Sequence, residues 1–398
     1  MGNRIRNVLL YVDDAVRYET IVDELASLGP TYKTVAASTH TPTSFGSILT
    51  GLYPPENGIL SFKHTAPSTV QSVFGGRRHN VTIAEEGGMN HSIADIFRNP
   101  PRESVEAVEP PFFHIVRRPG GHAPYNGFEW DTYEYCDQTA VEYLREISDE
   151  PKKAREDYAR GVERSFAEFK RVLEVLDDRN LRHETLVIYT SDHGELLGEY
   201  GFFGHTHLAT PEIVYVPTTF IHPDLDEGHM DSLLHHIDLL PTASEILDQP
   251  LDCGRMRGKP FGKGRERGYN HFEHVRYGDL PNIVEPAIDH IGTFERTVQS
   301  MWDKHGGQVF VEGGYFPTLL VYLVLLVQSP IGNQLLHNGG LRDLFRRFAP
   351  GHQTYGKPNF DRNDARASID TLFTSRSEQS NRELDDETVE RLQDMGYL

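Results

Sequence analysis

The sequence predicts an α/β protein, a mostly parallel sheet covered by helices on both faces and followed by a smaller C-terminal α+β subdomain. Three observations predict it. Short apolar runs at residues 7–12, 112–116, 186–189 and 215–221 have the length and continuity of strands buried on both faces. A helix fits residues 158–178, where Val162, Phe166, Phe169, Leu173 and Leu176 recur at three and four residues. Two of the apolar runs also end in ionisable side chains, Asp13 and Asp14 after the first, Asp192 and His193 after the third. The carboxyl ends of parallel strands are where α/β proteins place their chemistry.

The other elements follow in order. After the first run comes the hydroxyl-rich stretch "STHTPTSFGSILTG", a turn feeding a helix, and then Pro54, Pro55, Asn57 and Gly58 mark another turn. Residues 82–97 contain a helical pattern, and Gly and Pro keep the loop "RRPGGHAPYNG" irregular. "HHIDLLPTASEIL" reads as a turn entering a helix. Beyond Gly264 the periodicity becomes irregular, so residues 1–264 are expected to form the main domain and 265–398 the subdomain. The latter would hold a polar linker at 374–385 and a terminal helix from "DETVERLQDMGYL". The most apolar segment, residues 316–327, is twelve residues long, short of the roughly 20 that a membrane helix needs. It reads as a buried helix or strand, and no integral membrane segment is expected.

A chain of 398 residues with 38% hydrophobic and 10% aromatic content can bury a large core. Its net charge of −20 argues against nucleic acid as a partner. Only nine of the 39 basic residues are lysine, a bias that beside the acid excess suits a salt-adapted cytoplasm. Cys136 and Cys253 are too few for a disulfide framework and read as buried thiols. The N-terminal apolar run is broken by Asp13 and Asp14 before it reaches signal-peptide length, so a cytoplasmic location is expected.

Asp13, Asp14, Asp192 and His193, gathered at one sheet edge, could bind a divalent cation: carboxylates suit Ca²⁺, Mg²⁺ or Mn²⁺, and the imidazole extends the range to Zn²⁺. Arg117 and Arg118 could hold an anion, and the plainer account makes them solubilising surface residues.

The order of these pieces resembles the sulfatase family of the alkaline phosphatase-like superfamily. The resemblance covers roughly residues 5–250 through "NVLLYVDD", "TPTSFGSILTGLYPPENGI", "HAPY", "LVIYTSDHGE", "VPTTFIHP" and "HIDLLPT". In that family the nucleophile lies nine residues before the Thr of a "TG" pair, within a Cys/Ser-x-Pro-Ser-Arg motif. Counting back from Thr50 gives Thr41. Ser44 matches the motif Ser, while Phe45 stands where the motif has Arg and Thr41 where it has the Cys or Ser that becomes formylglycine. Other branches of the superfamily, phosphodiesterases and phospho-group transferases, use an unmodified Thr at this place.

The resemblance therefore implies a metal-dependent hydrolase of sulfate or phosphate esters in which Thr41 attacks a small anionic ester. One divalent cation is implied, calcium foremost, with Mn, Mg or Zn as alternatives. An Asp-x-x-x-His pair before Asp192, the mark of two-metal relatives, is missing; Asp231 and His235 have the spacing but fall after it. His122 in "HAPY" and His205 in "GFFGHTHL" are implied to act on the leaving group, with Ser44 and His207 as substrate contacts. A catalytically silent anion-binding protein and a phospho-group transferase are the alternative readings. The sequence does not specify an oligomeric state.

The composition carries its own test. Unscreened carboxylates repel one another, so the melting temperature should rise between low salt and roughly 1 M salt. Melting that ignores salt over that range would contradict the salt-adapted reading.

Overall fold

The computed structural model describes residues 4–85, 92–132, 134–205, 208–275, 295–312 and 351–372, together with 377, 379–382, 384 and 389. The apolar segment at 316–327, His207 and nearly all of the linker and terminal helix lie outside the described residues. Elements are numbered here for strands longer than two residues and helices of at least eight.

Seven strands form the main sheet: β1 (Asn7–Asp13), β2 (Pro30–Val35), β3 (Asn80–Glu85), β4 (Phe112–Arg118), β5 (Thr185–Ser191), β6 (Tyr215–Ile221) and β7 (Gly228–His235). Their spatial order is β7-β2-β6-β5-β1-β4-β3. Only β6 runs antiparallel to its neighbours β2 and β5. The expected mixed α/β architecture with a mostly parallel sheet is therefore what the chain adopts. Residues 82–85, expected within a helical stretch, instead belong to β3, and the helix there is the short turn Ile93–Ile96. Thr82 and Ile83 sit between strand neighbours on β4, so pairing overrides the local pattern.

The alternation of side chains along the strands builds two cores. Val8, Leu10 and Val12 of β1 pack with Phe113 and Ile115 of β4 and with Phe45, Ile48 and Leu49 of α2 (Thr41–Thr50). Leu239, Leu240 and Ala243 of α4 (Leu239–Ile246) close that face. Leu9 and Tyr11 point the other way, against Val162, Phe166 and Phe169 of α3 (Pro151–Asp178) and Ile21 and Leu25 of α1 (Tyr18–Ala26). α3 begins seven residues before the apolar periodicity does, with Pro151 in its first turn, where the missing N–H costs nothing.

The C-terminal subdomain holds an antiparallel sheet of β8 (Gly268–Val275), β9 (Glu295–Asp303), β10 (Gly306–Glu312) and β11 (His352–Gly356). The helix α5 (Arg362–Leu372) packs on it through Ala365 and Ile369. Trp302 of β9 is fully buried against Tyr215 at the start of β6, which ties this sheet to the main one. No helix among the described residues is long and apolar enough to cross a membrane.

Several histidines are buried in these layers. Burial, aided by Arg118 and Arg179, pulls His114 from 6.5 down to about 3, and burial with Arg265 does the same to His235. Both resist protonation in the folded state while the unfolded chain accepts protons near 6.5, so their stabilisation is complete above that pH and is lost as pH falls towards 3. Melting temperature should therefore drop steadily from about pH 7 to about pH 5, and His114→Gln should flatten part of that slope. A melting curve independent of pH over this interval would contradict the burial of neutral imidazoles.

Candidate active site

The site is assembled by register. In β1, Val12 pairs with Arg117 of β4 on one side and with Thr190 of β5 on the other, so the three strands end at one level. Beyond these ends, the backbone at Ala15 takes a left-handed φ of 58° and turns the chain back towards β5. There the Ala15 N–H donates to Asp192 Oδ1 at 3.1 Å and the Val16 N–H to Ser191 Oγ at 2.8 Å.

This turn brings Asp14, Asp192 and His193 together, with one ligand atom from each lying within 4.8 Å of the others. His193 Nε2 is 3.5 Å from Asp192 Oδ2 and 3.9 Å from Asp14 Oδ1, and all three side chains are fully buried. Asp14 Oδ1 and Asp192 Oδ2 accept no hydrogen bond. Two buried carboxylate oxygens without donors cost several kcal/mol unless a cation or proton joins them, of order 1–3 each or more. His193 Nδ1 lies 3.0 Å from the Gly194 carbonyl, which can only accept, so the Nδ1–H donates and Nε2 keeps its lone pair. Two carboxylate oxygens without donors and one imidazole nitrogen in its acceptor form fit a divalent cation.

The electrostatics agree with crowding. Burial and the Asp14 carboxylate push Asp192 up to about 6. Burial also pulls Asp14 upwards, but His122, Arg117, His193 and His205 together hold it below the usual carboxylate range. Its Oδ2 accepts from Arg117 Nη2 at 2.9 Å.

Asp13, expected beside Asp14 in the cluster, is placed elsewhere, and strand alternation is the reason. It follows Leu9 and Tyr11 onto the α3 face, where it accepts from Ser165 Oγ at 2.5 Å and Tyr189 Oη at 2.6 Å. Burial raises its carboxyl to about 6. The surface reading of Arg117 and Arg118 is corrected too: they are 1% and 7% exposed. Asp231 is exposed and pairs with Lys304, and His235 binds the Tyr269 carbonyl, so this pair contributes nothing to the cluster.

Thr41 opens α2 and comes from a different part of the chain. Its Oγ1 is 3.1 Å from His193 Nε2. The approach is fixed by His236, whose Nδ1 accepts from the Ala37 N–H at 3.1 Å and whose Nε2–H donates to the Ser191 carbonyl at 2.9 Å. Thr41 is the first helical residue, where unpaired N–H groups and the helix dipole favour negative charge. Ser44 points inward and donates to the Ser38 carbonyl at 3.1 Å, holding the turn that presents Thr41.

His122 and His205 complete the wall. Gly120 has φ 50°, and a Cβ there would collide with the Asp14 carbonyl, so only glycine lets the "RRPGGHAPY" loop cross so closely. The loop sets the His122 ring 5.3 Å from His205, which lies 4.1 Å from the His193 ring. His122 Nδ1 bonds the Ala123 carbonyl at 2.6 Å. His205 Nδ1 lies 3.2 Å from Glu195 Oε2, a partner the sequence reading missed. Burial pushes Glu195 up to about 8 and His205 well below its ordinary value, so the pair is suited to share one proton. Glu195 closes the quoted stretch "SDHGE", and its position two residues after His193 was the available signal.

Residues 86–249 match the sulfatase family model, a stretch that includes His122, Asp192, His193, Glu195 and His205. This stretch of the chain is similar to the sulfatase family. The chain is 32% identical over 259 residues to the low-salt glycan biosynthesis sulfotransferase Agl7 of Haloferax volcanii, an alignment covering 62% of each chain. It is also 33% identical over 105 residues to human iduronate 2-sulfatase, covering 24% of this chain and 18% of that one. The chain thus spans less than two thirds of the length of these relatives. Among solved structures, BT1596, a 2-O GAG sulfatase, superposes with a TM-score of 0.57 at 13% identity, covering 89% of this chain and 95% of that one. A phosphonate monoester hydrolase of Agrobacterium radiobacter gives 0.51 at 13% identity, covering 88% and 100%. At such identities the two structures speak for the alkaline phosphatase-like fold alone.

Calcium or manganese added to the metal-free protein should raise its melting temperature. Asp192→Asn should abolish that rise. Asp13→Asn should keep it while lowering the baseline stability by about 1–3 kcal/mol, the worth of hydrogen bonds to a buried carboxylate. Loss of the cation response in Asp13→Asn would return Asp13 to the ligand set.

Proposed function

We propose that the chain is a metal-dependent transferase of sulfuryl or phosphoryl groups to water, a hydrolase of small anionic esters acting through Thr41. The observation that carries this is the Thr41 hydroxyl 3.1 Å from His193 Nε2, in a buried cluster with two carboxylate oxygens that lack donors. Asp14, Asp192 and His193 would hold one divalent cation, calcium foremost by family resemblance. Bound there, it would polarise the ester and lower the pKa of the Thr41 hydroxyl.

The chain's own groups then account for the rest. The α2 N-terminus stabilises negative charge on Thr41 and on the group it attacks. Thr41 Oγ1 forms a bond to sulfur or phosphorus as the bond to the leaving oxygen breaks. His205, oriented by Glu195, and His122 are the imidazoles that would take the Thr41 proton and return it to the leaving oxygen. The product is an ester on Thr41, which is freed when a second hydroxyl attacks the same sulfur or phosphorus. His207, outside the described residues, stays in this proposal as a substrate contact, and Ser44 supports the turn. The domain boundary at residue 264 and a cytoplasmic location belong to the same reading, supported by two unpaired cysteines, Cys136 and Cys253.

A second reading has a specific observation behind it. A threonine ester, unlike the family's formylglycine ester, has no internal route to release, so the acceptor that reaches it decides the outcome. The similarity to a protein named as a sulfotransferase favours an acceptor hydroxyl other than water.

Thr41→Ala should lower turnover of aryl sulfates and aryl phosphate mono- and diesters by roughly 10³-fold or more, while leaving cation binding intact. Thr41→Ser should retain part of the activity. Product analysis with added sugar alcohols as acceptors separates hydrolysis from transfer. Wild-type rates in Thr41→Ala would remove the nucleophile from the proposal, and cation binding with no turnover on any ester would favour the silent anion-binding alternative.

A further inference from the structure

Arg117 is the least expected neighbour of a cation site. Its side chain is 1% exposed, with Asp14 at 0% and Glu85 at 2% beside it. Nη2 donates to Asp14 Oδ2 at 2.9 Å, and Nη1 is 3.7 Å from Glu85 Oε1. Glu85 is itself fixed by the N–H of Ile93 at 2.7 Å, the N–H of Ala94 at 3.2 Å and Ser92 Oγ at 2.5 Å. The guanidinium carbon sits 5.7 Å from the centre of the Phe45 ring. Phe45 is four residues after Thr41 on α2 and therefore shares its face, one turn further in. The turn after β1, the end of β3 and α2 thus hold the guanidinium in place.

That position works against a cation. A site shaped for cation affinity alone would satisfy Asp14 Oδ2 with a neutral donor, because a buried positive charge repels a second one through a low dielectric. The same charge attracts an anion. It also stands against the ring of Phe45, the position at which the motif quoted above has arginine, so the cation missing from α2 is supplied from β4 instead.

We propose that Arg117 sets the charge balance of the site. By occupying Asp14 Oδ2 it leaves one oxygen of that carboxylate for the metal, weakening the metal's hold and strengthening the site's hold on an anionic sulfate or phosphate ester. It is a positioning residue, acting through Asp14. The inference rests on the reading of Asp14, Asp192 and His193 as a cation site.

The test measures two affinities with opposite expected signs. Full-length Arg117→Gln/Glu85→Gln removes both charges of the buried pair, which guards against unfolding by an unpaired carboxylate; circular dichroism checks the fold. Calorimetric titration with Ca²⁺ and with Mn²⁺ should give cation binding about tenfold tighter than wild type. Orthovanadate, titrated at saturating cation, should bind about tenfold more weakly. Arg117→Lys, which keeps the charge, should stay near wild type in cation affinity. Weaker cation binding in the double variant, or unchanged vanadate binding, would overturn the proposal and leave Arg117 as an orienting group only. A wild type that binds cation beside a double variant with the same two affinities overturns this inference alone. A wild type that binds no divalent cation overturns the site reading and this inference with it.

Discussion

Two carboxylates buried side by side constrain everything around them. Asp14 and Asp192 are held at adjacent strand ends, both without solvent exposure apart from a 1% residue for Asp14. Like charges at this range in a low dielectric repel by several kcal/mol, so the fold must supply compensation. It does so asymmetrically: against the pull of burial, His122, Arg117, His193 and His205 hold Asp14 below the usual carboxylate range, while burial and Asp14 raise Asp192 to about 6. The left-handed turn at Ala15, the glycine at 120 and the close approach of α2 follow from the need to crowd donors onto this edge.

Parallel pairing makes that crowding possible. β1, β4 and β5 run the same way with no shift of register, so residues that follow their last paired positions emerge together. Loops from distant parts of the sequence then cross the edge. His236 ties the Ala37 turn to the end of β5, which is how Thr41 meets His193 across 152 residues of chain. The stretch similar to the sulfatase family, residues 86–249, contributes Asp192, His193 and His205 to this edge. Under the proposed mechanism, threonine at position 41 alters the second half of the chemistry, because its ester would have to be released by an incoming hydroxyl.

Much of this was legible in the sequence, and the misses have physical causes. Strand runs ending in Asp14, Asp192 and His193 were visible because buried parallel strands are continuous apolar stretches. The Asp13–Asp14 pair was read as a unit, although alternation from Leu9 and Tyr11 already assigned Asp13 to the α3 face. Arg117 follows Phe113 and Ile115 onto the α2 face by the same rule, yet charge argued for the surface and masked the pattern. Spacing put Glu195 near the site, two residues after His193, but its partner His205, like the partners Ala37 and Ser191 of His236, is set by tertiary contacts. The helix read within 82–97 is confined to Ile93–Ile96, because residues 82–85 belong to an edge strand that takes its order from β4.

The central claim is that one divalent cation and Thr41 share the edge formed by Asp14, Asp192 and His193. Anomalous diffraction from crystals grown with Mn²⁺ tests it most directly. The account predicts one strong peak within bonding distance of Asp14 Oδ1, Asp192 Oδ2 and His193 Nε2, with the Thr41 hydroxyl facing it. A peak bound by Asp13, or no peak among these residues at saturating Mn²⁺, would contradict it.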